Sequence, residues 1–344
     1  MKITLKEIAD RANVSISSVS RALSGNHGIA PVHDQTRMRI IQIAKELGYH
    51  KLQLPDESGE KASEIRVGLV LHQAKAKYQD PYFSEIIYGI ESELMTKGLA
   101  LDFTVEVEDF FKSDPFADID KQHVGVICVG PLKSSIIKTL SKQAPWLFCV
   151  GGLEEPGIDG VTVDFRGAAR QAVQYLLQLG HQKIAFIGGS SRVGAPLEQE
   201  ARYLGYKEAL GANSIPLIHE WIRDGGFDTA QSYEAMVDVL RMNDRPTALF
   251  VASDKMTYGA YKAIQEFGLS IPEDMSVVSF DDIEMSQYMN PGLTTVRVHK
   301  EEMGRIAVKL LTQRMEGKIP LPLTSYLPTE FVIRGSCAKH EHFA

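Results

Sequence analysis

Six short runs of the chain are almost wholly apolar: IRVGLVL from Ile65, VGVICVG from Val124, WLFCVG from Trp146, KIAFIGG from Lys183, ALFVAS from Ala248 and SVVSF from Ser276. A strand with one wet face alternates apolar and polar residues. A run without alternation must be covered on both faces, which is the condition of a parallel strand in an α/β sheet. Between the runs lie segments of helical period, near 83–97, 134–143, 167–179, 199–210, 229–241 and 255–267, with a further strand at 99–105. Strand and helix in alternation, twice over, restrict the chain from residue 65 onward to two doubly wound parallel-sheet subdomains. Ligands of such sheets bind at the carboxyl ends of the strands, so the expected site is the cleft between the two subdomains.

The first fifty residues follow another rule. Thr4 and Glu7 have capping-box spacing, so a helix starts at Leu5 and turns Leu5, Ile8, Ala9 and Ala12 to one side. Asn13 can stop that helix and Ser15 can cap the next, over about 16–23, with Val19, Ala22 and Leu23 inward. Its other face offers Ser17, Ser18, Ser20 and Arg21. A third helix, about 34–47, supplies Met38, Ile41, Ala44 and Leu47, and leaves Arg37, Arg39 and Lys45 on its polar side.

Two helices across a three-to-four-residue turn describe a DNA-binding helix-turn-helix. A helix entering a major groove about 12 Å wide needs short hydrogen-bonding side chains on its outer face. The competing reading is an ordinary helical hairpin with a solvated face. Charge favours DNA: residues 1–51 carry eight Lys and Arg against four acids, the remainder 29 against 40, within a net charge of −7.

TLKEIADRANVSISSVSRAL, followed by AKELGY ending at Tyr49, resembles the headpiece of the lactose/galactose repressor family almost residue for residue. The resemblance implies that Ile16, Ser17 and Arg21 read bases. It places Thr4, Ser15, Ser18, Ser20 and Asn26 at phosphate contacts or caps. It weakens over residues 50–64, HKLQLPDESGEKASE, where the family's hinge-helix pattern is absent and Pro55 would interrupt such a helix. Leu54 is the candidate for the family's minor-groove leucine.

The likeness resumes from Ile65 to about Gly335, through DPYFSEIIYGIE, LGHQKIAFIGG and the segment from Arg245 to Val298. Here the chain is similar to the family's sugar-sensing core, itself akin to periplasmic binding proteins. The fold implied is a small all-α headpiece, 1–49, and a linker, 50–64. Two core subdomains follow, 65–163 plus 297–328 and 164–296 plus 329–344. The effector contacts implied are Asp80, Tyr82, Phe83, Arg202, Phe227, Ser253, Asp254 and Asp281. Carboxylates and an arginine suit sugar hydroxyls, and an aromatic ring suits a pyranose C–H face. Against this, Tyr82 or Phe83 could belong to the core, Asp254 could cap the following helix, Asp282 could orient its loop, and Asp164 could cap a helix.

Gly188–Gly189 follows a strand, but GGSSRVG lacks both the dinucleotide fingerprint and the phosphate-loop lysine, so a tight turn is expected. No nucleophile elbow or zinc-spaced histidine pair occurs; no catalytic residue, metal ligand or cofactor is expected. Cys128, Cys149 and Cys337 read as reduced and buried, and His340 and His342 as part of a disordered tail. With no signal-like or spanning segment the expected address is the cytoplasm. The resulting expectation is a homodimer on a near-palindromic operator, released by a small sugar, with a galactoside favoured by WIRDGGFDTAQSY and VASD. One alternative keeps the DNA binding but has a purine or phosphoprotein corepressor. Another is a sugar-binding module or enzyme whose N-terminal helices contact protein.

Overall fold

The computed structural model describes residues 5–12, 14–15, 18–19, 36, 39–40, 43–44, 47, 65–112, 121–152, 157–190 and 195–340. The chain divides into two compact units, 1–62 and 63–344.

In the first unit, helix α1 (Leu5–Ala12) starts where the capping spacing puts it, with Glu7 in its first turn and Arg11 in its last, as the helix dipole favours. Ile8, Ala9 and Ala12 are buried together with Val19, Ile40 and Ala44, and Val14, Ile43 and Leu47 pack against them. In the third segment the expected Ala44 and Leu47 are turned inward. Its inward row is Ile40, Ile43, Ala44 and Leu47, whereas Met38 and Ile41 lie outside the described residues. The linker, 50–64, lies outside the described residues, Leu54 and Pro55 with it.

The second unit holds two six-stranded sheets. The first has the order β11-β5-β4-β3-β1-β2, all parallel, from β1 (Arg66–Leu71), β2 (Leu101–Glu106), β3 (Val124–Val129), β4 (Trp146–Val150), β5 (Asp159–Val163) and β11 (Thr324–Leu327). The second has the order β12-β10-β9-β8-β6-β7, from β6 (Ile184–Gly188), β7 (Ile222–Asp224), β8 (Ala248–Val251), β9 (Ser276–Asp281), β10 (Thr294–Val298) and β12 (Thr329–Val332). Only β12 runs antiparallel to its neighbour there. The six apolar runs are six of these strands, and β3, β6, β8 and β9 are buried along their whole length.

The chain crosses between the sheets three times. It leaves the first after β5 for α6 (Phe165–Gln178), which packs under β9 and β10. It returns after β10 through His299 to α10 (Lys300–Met315), which packs on β4 and β5. It passes from β11 to β12 through Pro328. Strand β10 thus runs to Val298, two residues past the crossing expected after Val296, because its pairing with β9 and β12 extends that far. The other helices are α2 (Ala74–Gln79), α3 (Pro81–Thr96), α4 (Val107–Phe110), α5 (Ser134–Gln143), α7 (Ala201–Ala212), α8 (Thr229–Leu240) and α9 (Asp254–Glu266).

Cys128 and Cys149 are register partners on β3 and β4, both buried with free thiols. The thiol of Cys128 is pushed up by its hydrogen bond to Cys149 and by burial. The C-terminal segment departs from the expected disorder as far as residue 340. Ser336 donates to the carbonyl of Val277 at 2.6 Å, and the His340 ring stacks on the buried His181 ring with centroids 5.2 Å apart. His342 lies outside the described residues. Among the described residues no helix is long and apolar enough to cross a membrane.

Candidate functional site: an effector pocket between the two sheets of the core

A cavity of about 420 Å³ opens between the carboxyl ends of the two sheets. Each wall residue follows a strand end, as doubly wound sheets dictate. Asp80, Tyr82 and Phe83 come after β1, Gly151 and Gly152 after β4, Phe227 after β7, Ser253 after β8, and Asp281 ends β9. Seven of the eight sequence-derived effector residues line this cavity: Asp80, Tyr82, Phe83, Arg202, Phe227, Ser253 and Asp281. Among the described residues no cluster of three or more His, Cys, Asp or Glu side chains is placed to hold a metal.

Asp80 caps α3, its Oδ1 accepting from the Tyr82 amide at 3.0 Å with Pro81 in the first turn. Its other oxygen meets Lys255 Nζ at 3.1 Å, a bridge from the first sheet's helix to the start of α9 on the second. The Tyr82 ring packs edge-on to Phe83 with centroids 5.1 Å apart. Its hydroxyl is buried with no hydrogen-bond partner among the described residues. Burial first, and the nearby Asp281 carboxyl second, push that phenol up. A buried hydroxyl without a partner is costly, and the residue that carries it belongs to the cavity wall.

Arg202 is the centre of the opposite wall. Its Nε donates to Glu200 Oε1 at 2.9 Å and its Nη1 to the carbonyl of Ala252 at 2.8 Å. The guanidinium lies about 5 Å from the ring centroids of Phe165, Phe227 and Phe280. Burial pulls its pKa down, but the carboxylates of Glu200 and Asp281 outweigh this and hold it above the ordinary arginine value. Glu200 also caps α7 through the amides of Arg202 and Tyr203, so one carboxylate fixes the helix start and the arginine together.

Phe227 takes a left-handed φ of 52° after Gly225 and Gly226. Asp224 Oδ1 accepts from the Gly226 amide at 2.9 Å, and the Asp228 amide donates back to the Gly225 carbonyl at 2.9 Å. The loop lies against Gly189 so closely that a Cβ there would stand 2.5 Å from the Phe227 nitrogen. The second glycine of the Gly188–Gly189 pair therefore makes room for the aromatic wall.

Asp281 ends β9 with φ 114° and Asp282 follows at 49°. Lys300, buried at the start of α10, donates to both carbonyls, at 2.8 and 3.1 Å, and lies 3.3 Å from Glu85. Two such non-glycine conformations in succession cost on the order of 1–3 kcal/mol each, and that ammonium holds them. The Asp281 carboxyl is pushed well above the usual carboxylate range by burial, against the pull of Arg202. Asp282 orients the loop, as an ion pair with Arg297 at 2.7 Å and with Arg334 at 2.7 Å. Asp164 caps α6 through the Gly167 amide at 2.8 Å.

Asp254 is the correction. It is fully buried and absent from the pocket wall. Its Oδ2 accepts from the Ile283 amide at 3.0 Å and from Ser286 Oγ at 2.6 Å, and its Oδ1 from Thr295 Oγ1 at 2.7 Å. A carboxylate so engaged, with no exposed surface, ties α9 to the loop after β9 and to β10, away from the cavity. Burial pushes it up to about 6, against these hydrogen bonds.

The sequence reading also missed wall residues. Lys77 on α2, Phe165, Gln199, Glu200 and Lys255 all face the cavity. Glu200 had a legible signal, since an acid just before ARYLGY can cap that helix. Lys77 had none, because AKAKYQ reads as a solvated stretch.

Of the proposed DNA contacts, Ser15 and Ser18 are described. Ser15 Oγ accepts from the Ser18 amide at 3.2 Å and lies 2.8 Å from Ser18 Oγ, so it caps the second helix while exposed. Thr4, Ile16, Ser17, Ser20, Arg21 and Asn26 lie outside the described residues.

Two family models match the chain. Residues 4–51 match bacterial regulatory proteins of the lacI family, and residues 173–337 match a periplasmic binding protein-like domain. The chain is 34% identical to the HTH-type transcriptional repressor MelR of Bacillus subtilis, over 97% of both chains. It is 33% identical to the repressor CytR of Escherichia coli, over 97% of this chain and 96% of that one. Among solved structures, a complex of the transcriptional regulator CelR with cellobiose superposes with a TM-score of 0.70 at 27% identity, covering 97% of this chain and all of that one. These relatives are regulators of transcription and not enzymes. The chain belongs to the lacI family of bacterial regulatory proteins, DNA-binding repressors that carry an effector-binding core.

Proposed function

We propose that the chain is a homodimeric, cytoplasmic repressor that a small sugar releases from a near-palindromic operator. The observation that carries this reading is the pocket wall. Asp80 and Asp281 bring carboxyl groups, Arg202 a guanidinium, and Tyr82 and Phe227 aromatic rings to one 420 Å³ cavity. That mixture of fixed polar groups and aromatic faces suits a polyhydroxylated ring. Related regulators are described with cellobiose and with ribose bound. A β-galactoside is the first sugar to test.

The three crossings, near 164, 299 and 328, divide the core into the two subdomains on which the pocket depends. The Asp80–Lys255 bridge and the Lys300 contacts to the end of β9 join them. A sugar between them shifts the balance between two arrangements by as much as its affinities for the two differ. In the headpiece, Ile16, Ser17 and Arg21 read bases while Thr4, Ser15, Ser18, Ser20 and Asn26 hold the backbone or cap helices. A dimer presents two such headpieces to two half-sites.

The test is thermal denaturation of the full chain against mono- and disaccharides and against purines, followed by retention on operator fragments selected from random DNA. The expected result is a raised Tm with a galactoside or related sugar, and weaker operator binding in its presence. Stabilisation by a purine alone, with tighter operator binding, overturns the inducer reading. Operator affinity should fall steeply with salt and be lost in Arg21→Ala.

A further inference from the structure

We infer that the effector carries an anionic group, a carboxylate or a phosphate, seated against Lys77. This rests on the sugar-effector reading above and deepens it. Lys77 is 8% exposed, and its side chain is part of the pocket wall. Its Nζ stands 3.4 Å above the centre of the Phe83 ring. Among the described residues it has neither a hydrogen-bond acceptor nor an ion-pair partner.

The other charges around the cavity are accounted for. Asp80 pairs with Lys255 at 3.1 Å and Glu200 with Arg202 at 2.9 Å. Asp281 is drawn to Arg202 and Lys300. The Lys77 ammonium is left with an aromatic face, which satisfies one side of a cation and no N–H in particular. Burying it costs free energy, and its pKa falls to about 8 by desolvation, against the pull of Asp80.

The fold makes a place for the group all the same. Gly130, after β3, has φ +82°, and a Cβ there would stand 2.3 Å from Lys77 Nζ. Helix α2, which carries the lysine, is fixed by the Ala74 amide donating to Glu106 Oε1 at 2.8 Å. A buried ammonium held in place beside a cavity, with donors unspent, selects a ligand that brings an acceptor of opposite charge.

The experiment measures Kd by calorimetry on the full chain for matched sugars: galactose, galacturonate and galactose 6-phosphate, with the same set for glucose. Inorganic phosphate and acetate alone serve as controls. The uronate and phosphate arms separate the two sources of charge. The expected result is roughly tenfold or tighter binding of one acidic sugar over its neutral counterpart. Lys77→Met, similar in length and without charge, should abolish that preference, read as the ratio of the acidic to the neutral sugar's Kd within the same variant, so that any change common to both sugars cancels.

Equal binding of neutral and acidic sugars, or a preference that survives in Lys77→Met, overturns this inference while the sugar-effector reading stands. If no sugar of either kind binds while operator binding is intact, both readings fall. Should Lys77→Met not fold, the wild-type comparison of acidic with neutral sugars decides alone.

Discussion

Asp254 and Asp281 invite comparison because they are so nearly alike. Each stands at the carboxyl end of a central strand of the second sheet, each is buried, and burial raises the pKa of each. They differ in what surrounds the two oxygens. Asp254 accepts from an amide and two hydroxyls, while Asp281 borders the cavity and draws on Arg202 and Ser253. The motif VASD–SFDD presents both as acids after apolar strands, and nothing local tells them apart. What decides is whether the fold has already used their hydrogen-bonding capacity. A residue with capacity to spare at a strand end is free to bind, and one whose oxygens are already engaged is a structural tie.

The sharpest break of this comparison is Asp254→Ala. It leaves an amide and two hydroxyls without their acceptor, and should cost roughly 3 kcal/mol or more in the core's urea transition. Asp254→Asn should restore most of it, since an amide oxygen can take the Ile283 and Ser286 donors while its NH₂ faces Thr295 Oγ1. Neither change should move sugar affinity per folded molecule. If Asp254→Ala melts like the parent chain, the assignment of Asp254 as a tie is wrong.

Asp281→Asn should do the reverse. Removing the charge of a buried carboxyl should leave stability at neutral pH equal or higher. Sugar affinity should fall by about 1.5–3 kcal/mol, the range for hydrogen bonds to charged groups, read by calorimetry. Equal losses of stability in Asp281→Asn and Asp254→Ala would erase the distinction between them.

Proton linkage sharpens it further. Asp254 is pushed up to about 6 in the fold from an ordinary value of 3.8. Below both values the carboxyl is protonated in the folded and unfolded chains and contributes no difference. As pH rises from about 4 to about 6 the unfolded carboxyl ionises first, so stability falls across that window and then levels. The parent chain should lose up to about 2–3 kcal/mol there relative to Asp254→Asn, at a maximum slope of about 1.4 kcal/mol per pH unit. Parallel stability curves for the two proteins would show that the hydrogen bonds, and not burial, set the pKa.

How much of this was legible beforehand follows from the kind of signal. The continuous apolar runs announced β1, β3, β4, β6, β8 and β9, because burial on both faces needs no context. Strand β7 is three residues of IRD at an edge, β11 alternates exposed and half-buried positions, and β12 has no fully buried residue, so none carries such a run. The pocket wall was legible where a residue type sits in a motif after a strand, as with DPYF and DGGF. It was illegible at Lys77, whose burial depends on Phe83 and on the empty space at Gly130. Asp254 failed in the opposite direction, since its three donors come from the loop after β9 and from β10.

The headpiece carries the smallest expected effect and a contrast of its own. It is the smaller unit, residues 1–62 against 63–344, so end effects weigh more there than in the core. Ser15 accepts from the Ser18 amide at the start of the second helix. Removing that acceptor in Ser15→Ala should destabilise the headpiece by about 1 kcal/mol. The same loss in the large unit would be lost within its total. Hydrogen exchange resolved by segment is the measurement: amides near Val19 and Ile40 should exchange about fivefold faster, while those of β3 and β8 stay unchanged. If Ser15 serves only as a cap, Ser15→Asp should protect those amides as well as serine does, yet place a negative charge where a phosphate would approach. Protection retained and operator affinity lost would therefore assign both roles to one hydroxyl, whereas affinity retained would leave Ser15 as a cap alone.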